Sequence, residues 1–92
     1  MEFEWDPQTA AANLAKHKVS FEEAATVFGD PLGRIVADPR HSAVEERLVL
    51  PGLSENRRLI AVMYVDRDGV MRFVSARKAT RQERRDYEEI IQ

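Results

Sequence analysis

Apolar and polar positions change rhythm twice along this chain. The opening "EFEW" at 2–5 alternates, with Phe3 and Trp5 on one side and Glu2 and Glu4 on the other. Asp6 followed by Pro7 then marks a helix start, since a capping carboxylate and a proline suit the Ncap and first helical positions. Helical spacing continues to about His17, with Ala10, Leu14 and His17 on one stripe. A second start follows in "VSFEEAATVF". Ser20 and Glu23 have the spacing of a capping box, Val19 and Ala24 that of a hydrophobic staple, and Phe21, Ala24, Ala25 and Phe28 make the apolar face. "GDPLG" at 29–33 ends it.

From residue 34 the rhythm is that of strands. "RIVAD" predicts a short one, and "DPRHS" at 38–42 a loop. Residues 46–53 predict a second strand, with Pro51 and Gly52 implying a bulge or an edge position. "RLIAVMYV" is apolar on both faces and reads as central. "DRDG" predicts a hairpin with Asp68–Gly69 as the positive-φ pair, leading into "VMRFVSA". Thr80 and Glu83 form another capping box, and helical spacing runs on to Ile91. The expected architecture is α+β: two N-terminal helices, an antiparallel sheet of three to four strands, and a C-terminal helix, with the helices on one face. Residues 1–92 form one domain, because a chain of this size supports a single core.

Composition adds limits. Hydrophobic residues are 43% and charged residues 33%, the balance of a folded globular chain. There are no cysteines, which leaves two histidines and the carboxylates as metal ligands, and their spacing matches no familiar site, so no cofactor is expected. The N-terminus carries no secretory pattern, and the apolar run "LIAVMYV" is too short to span a bilayer, so a cytoplasmic protein with no membrane contact is the expectation.

Charge is uneven. Residues 1–55 hold five Lys/Arg against ten Asp/Glu, whereas residues 56–85 hold nine against three. The overall formal charge of -2 hides this asymmetry, which suggests a polyanionic ligand, an acidic partner, or mutual neutralisation across the folded surface. In the last helix Arg84–Glu88 and Arg85–Glu89 have pairing distance in sequence, each worth a few tenths of a kcal/mol. The apolar stripe there is thin, which predicts a loosely held helix available for RNA or partner contact.

The succession "FEWD", "N" then "KH", "VSFEEAATVFGDP", "EER" and "VSARKATRQERRDYE" resembles the BrnT family of type II toxins over nearly the whole chain. The resemblance implies a RelE-like ribonuclease fold, translation inhibition through RNA cleavage, and a complex with a BrnA-like ribbon-helix-helix antitoxin that supplies most of the operator DNA contact. Many relatives have glycine after "KH". Here Lys18 stands there, which implies a different closure of the first helix, since the left-handed conformation favours glycine.

Metal-independent RNA cleavage through the 2′-hydroxyl needs a proton acceptor and cations facing the phosphorane charge. Arginine suits the second task because its fork matches phosphate oxygens. Arg47, Arg72, Arg77 and Lys78 are the candidates, and Arg81 follows at the helix start. Strict alternation puts Arg72 on one face with Lys78, and Arg77 on the other, unless the strand bends between them. The alternatives are a cross-strand acidic partner for Arg72 and a pair with Glu46 for Arg77. His17 is the natural acid–base candidate, against capping or packing at a helix end. Glu46 is a second candidate base, while His41 reads as surface. Tyr64 and Trp5 are candidate base-stacking platforms, with core packing as their competing use. The competing function is a non-catalytic partner acting only as co-repressor.

Overall fold

The computed structural model describes residues 1–38 and 46–90. Local signals place the helices. Asp6 accepts from the Thr9 amide at 3.0 Å and α1 runs Pro7–His17. Ser20 accepts from the Glu23 amide at 3.0 Å and starts α2, Phe21–Thr26, which tightens into a 3-10 turn at Val27–Gly29. α3, Arg81–Ile90, opens on a complete capping box: the Glu83 amide donates to Thr80 Oγ1 (3.1 Å) and the Thr80 amide to Glu83 Oε1 (2.8 Å). The box expected at Ser20 is half made, because the Glu23 carboxylate turns away to Ser54 Oγ (2.7 Å) and the Arg58 guanidinium.

The strands are β1 (Glu2–Glu4), β2 (Val36–Ala37), β3 (Leu48–Leu53), β4 (Leu59–Arg67) and β5 (Val70–Lys78), in one sheet of order β1-β5-β4-β3-β2. β2 to β5 are antiparallel neighbours. β1 corrects the expected topology: it pairs parallel with β5, Glu2 opposite Val70 and Glu4 opposite Arg72, so the sheet is mixed and five-stranded. The alternation at 2–5 announces an extended segment but not its partner. The segment's place is decided by Phe3, which packs on Phe28 and Phe73 with ring centroids 5.0 and 5.4 Å away.

Pro51 and Gly52 lie in regular register on β3, opposite Ala61 and Ile60. The Leu53 amide points off the sheet to Asp30 Oδ2 (2.8 Å). Pro51, two residues earlier, therefore directs its hydrogen-free nitrogen to the same open edge, the edge role its sequence implied. The β4–β5 turn has Asp68 at φ 54° and Gly69 at φ 88°, as expected.

The bulge lies elsewhere. Met63 is opposite Ser75 and Tyr64 is opposite Phe73, so Val74 is an extra residue on β5. Its effect is on alternation: Met71 and Phe73 face the core before it, and Ala76 faces the core after it. That core joins α2 and the 3-10 turn to the sheet through Phe21, Val27, Ile60, Val62 and Tyr64. α3 does not share this side. It lies over Val36 and Pro51, which the register places on the opposite face, so the helices flank the sheet on both sides rather than one.

α1 closes in the left-handed conformation despite lacking glycine. Lys18 has φ 61° and ψ 30°, its amide bonds the Leu14 carbonyl (3.0 Å), and its Nζ bonds the Ala15 carbonyl (3.0 Å). The expectation of a different closure is corrected: lysine accepts the strained geometry and uses its own ammonium as a further cap.

A cationic sheet face as candidate functional site

Register decides which cations meet. Arg72 lies opposite Val65, and Arg77 opposite Ala61, both on the face away from α1 and α2. Regular pleating would have separated them; the bulge at Val74 restores them to one side. The same count moves Lys78, opposite Ile60, to the core side of the sheet, where it is exposed at the strand end. The grouping of Arg72 with Lys78 is therefore corrected to Arg72 with Arg77. Arg47 immediately precedes β3, and its carbonyl accepts from the Asp38 amide (2.8 Å), so it already follows the strand. Alternation with Val49 and Pro51 sets it on the Arg72 face, across β4 from Arg72. Glu46 is one residue out of phase with it and exposed.

Each arginine has a different state of occupation. Arg72 meets the Glu4 carboxylate of β1 at 3.5 Å, and both side chains remain open, 39% and 46% exposed. Arg77 is held by Glu83 of α3, Nη1 to Oε1 at 2.7 Å and Nη2 to Oε2 at 3.3 Å, in place of the expected Glu46. Burial pushes the Glu83 carboxyl up, yet the Arg77 and Thr80 hydrogen bonds outweigh it and hold it below the usual range. Arg47 makes no ion pair among the described residues. Arg81 is exposed at the α3 N-terminus. The Arg84–Glu88 and Arg85–Glu89 pairs do not form; Gln82 bonds Asp86 instead (2.8 Å).

Three of the candidates do not join the arginines on this face. Tyr64 is 1% exposed, packed edge-on against Phe28, so no ring face is left for a base. Trp5 stacks on Phe73 (5.5 Å, 16°) and meets Phe21 edge-on (5.8 Å), which commits it to the core. His17 sits on α1, one turn past Asn13, and α1 packs along the outer edge of β5 rather than over the arginine face. The stripe that carries it is Ala10, Asn13 and His17, since Leu14 is exposed. His41 lies outside the described residues.

Two residues escape the sequence reading. Glu4 was legible as facing away from Phe3 and Trp5, but only the parallel pairing puts it beside Arg72. Asn13 is buried and stands in for a missing strand: where β1 has ended, its Oδ1 accepts the Ala76 amide (3.0 Å) and its Nδ2 donates to the Ala76 carbonyl (2.8 Å) and to that of Val19 (2.9 Å). An asparagine three residues after Ala10 and four before His17, on the same inward stripe of the helix, was the available signal.

α3 is held to the molecule by few contacts. No residue of it is fully buried, and a mostly apolar groove of about 490 Å³ runs between it and Leu32, Val36 and Pro51. Besides the Arg77–Glu83 pair, Tyr87 donates to Asp30 Oδ2 (2.8 Å). Burial, then the Asp30 carboxylate, pushes the Tyr87 phenol up to about 12.

The structure is thus a small α+β domain in which arginines from separate strands share one face of the sheet. Comparison with known proteins gives its family. The family profile described as ribonuclease toxin, BrnT, of type II toxin-antitoxin systems matches residues 5–83. The chain belongs to the BrnT family of ribonuclease toxins. No curated protein matches it. Among solved structures, the crystal structure of the Brucella abortus ribonuclease toxin, BrnT, is similar with a TM-score of 0.66 and 21% identity, covering 88% of this chain and 99% of that one. At that identity the likeness shows the fold. No described helix is long and apolar enough to cross a membrane.

Proposed function

We propose that this chain is a metal-independent endoribonuclease of RelE-like type that cuts RNA on the face carrying Arg47, Arg72 and Arg77 and so inhibits translation in the cytoplasm. A BrnA-like ribbon-helix-helix antitoxin neutralises it and brings the complex to operator DNA. The bulge at Val74 is the observation that carries the reading, since it aligns Arg72 and Arg77 on one face although they are five positions apart. At about 3.3 Å per residue the two stand well over 10 Å apart, and Arg47 is two strand spacings, about 10 Å, from Arg72. That spread suits successive phosphates of one strand rather than a single anion. Arg72, open and unburied by any helix, is the best placed to face the scissile phosphate, where a guanidinium stabilises charge as it develops.

Induced expression of the chain alone tests this. Growth arrest with cut transcripts, lost in Arg72→Ala while the fold survives, supports the reading. Arrest without any RNA cleavage would favour a non-catalytic binding role, and full cleavage by both Arg72→Ala and Arg77→Ala would remove this face as the site.

A further inference from the structure

Cleavage through the 2′-hydroxyl needs a base beside the phosphate clamp, and neither His17 nor Glu46 lies on the arginine face. We propose that Glu4 is that base. This rests on the ribonuclease reading above and assigns the residue it leaves open.

The carboxylates near Arg72 and Arg77 separate clearly. Asp6 feels the Arg72 charge, but its oxygen is committed to the Thr9 amide and hydroxyl, both at 3.0 Å, as the cap of α1. Glu83 is tied to Arg77 and to the Thr80 amide. Glu2 shares the face but stands opposite Val70, one pleat further toward the β4–β5 turn. Glu4 alone is directly opposite Arg72, within 3.5 Å of it, and makes no capping bond. It is also half exposed, so a ribose can approach it. The parallel β1–β5 pairing thus sets a proton acceptor and a phosphate ligand side by side on adjacent strands, about 4.8 Å apart at the backbone.

In the step, the Glu4 carboxylate takes the 2′-hydroxyl proton as the 2′-oxygen bonds to phosphorus. The bond from phosphorus to the 5′-oxygen breaks, its electron pair leaves with that oxygen, and solvent water supplies the proton. The products are a 2′,3′-cyclic phosphate and a 5′-hydroxyl, and Glu4 returns its proton to the hydroxide left in solvent. Arg72 faces the non-bridging oxygens throughout.

The test uses the full chain, made without its partner by cell-free synthesis, on a transcript that the wild type cuts. Glu4→Gln keeps the shape and the acceptor toward Arg72 but is no base. The expected result is a fall in kcat of about 10²–10⁴-fold, with KM within threefold. Binding of the same RNA carrying 2′-O-methyl groups and the thermal midpoint should both be unchanged. Arg72→Ala should weaken that binding as well as kcat. If Glu4→Gln keeps kcat within tenfold, or loses 2′-O-methyl RNA binding in step with kcat, the assignment is overturned. The second pattern would show that Glu4 only positions Arg72. A wild-type chain that cuts no RNA overturns the ribonuclease reading itself, and the role of Glu4 with it.

Discussion

Arg77 and Glu83 form a two-pronged pair between the end of β5 and the first turn of α3, at 2.7 and 3.3 Å. The fork that faces a phosphate in the proposed site is thereby filled by an internal carboxylate. Charge-assisted bidentate pairs of this kind are strong and geometrically selective, and Glu83 Oε1 also accepts the Thr80 amide that caps α3.

Glu83→Gln should separate the two consequences. Glutamine also closes a capping box, so α3 persists, but Arg77 loses its anion. RNA affinity should rise several-fold, measured by anisotropy at fixed salt, while stability drops by about 1–2 kcal/mol. Unchanged affinity would show that Arg77 takes no part in RNA contact.

The Glu23–Arg58 pair makes acid stability predictable. Arg58 Nε donates to Glu23 Oε2 at 2.9 Å, Nη2 bonds both Glu23 Oε1 and the Lys18 carbonyl, and Ser54 Oγ donates to the same carboxylate, tying α2 to the β3–β4 loop. The Arg58 hydrogen bond, against the opposing effect of burial, holds Glu23 below its usual range. Its contribution is therefore complete above the unfolded value of about 4.3 and disappears as pH falls through the lower folded value. Glu23→Gln should cost about 1.5–3 kcal/mol at pH 7 in urea titrations. The same substitution should flatten the fall in stability below pH 5.

Asn13→Ala removes four hydrogen bonds at once, three to the backbone and a longer one from Ser75 Oγ, and strands the amide and carbonyl of Ala76 on the outer edge of β5. A loss of about 2–4 kcal/mol is expected from leaving such buried groups unpaired. Asn13→Asp should be no better, because it keeps the acceptor but has no amide to donate to either carbonyl. Faster hydrogen exchange at the Ala76 amide would locate the damage.

Lys18→Gly should stabilise the chain. A left-handed residue with a side chain carries strain of roughly 1–2 kcal/mol, part of which returns as the greater unfolded freedom of glycine and the lost Nζ cap. A gain of about 0.5–1 kcal/mol in unfolding free energy, read as a rise in the thermal midpoint, is expected, with RNA cleavage unaffected.

Legibility followed the range of each interaction. The caps at Asp6, Ser20 and Thr80, the Asp68–Gly69 turn and the edge role of Pro51 were readable because their partners lie within a few residues. The parallel pairing of β1 was not, since Phe3 and Glu4 are placed by residues some seventy positions away. The bulge was silent for another reason: Val74 is an ordinary strand residue, with no glycine or proline to mark it, and the mismatch arises only from the count against β4. Arg47, Arg72 and Arg77 were therefore nameable as candidates, but their sharing of a face was not, and Tyr64 and Trp5 stood open between stacking platform and core because aromatic content does not reveal which side of the sheet it fills.

The unpaired Val74 turns the arginine site into a matter of parity. Arg72 and Arg77 are separated by an odd interval, and one unmatched residue between them makes that interval behave as even. Adding or removing a single residue there, with the hairpin and α3 held in place, would rotate one guanidinium through the sheet to the core side. Relatives whose β5 is spaced differently must either carry a compensating second defect in the strand or have abandoned one of the two arginines.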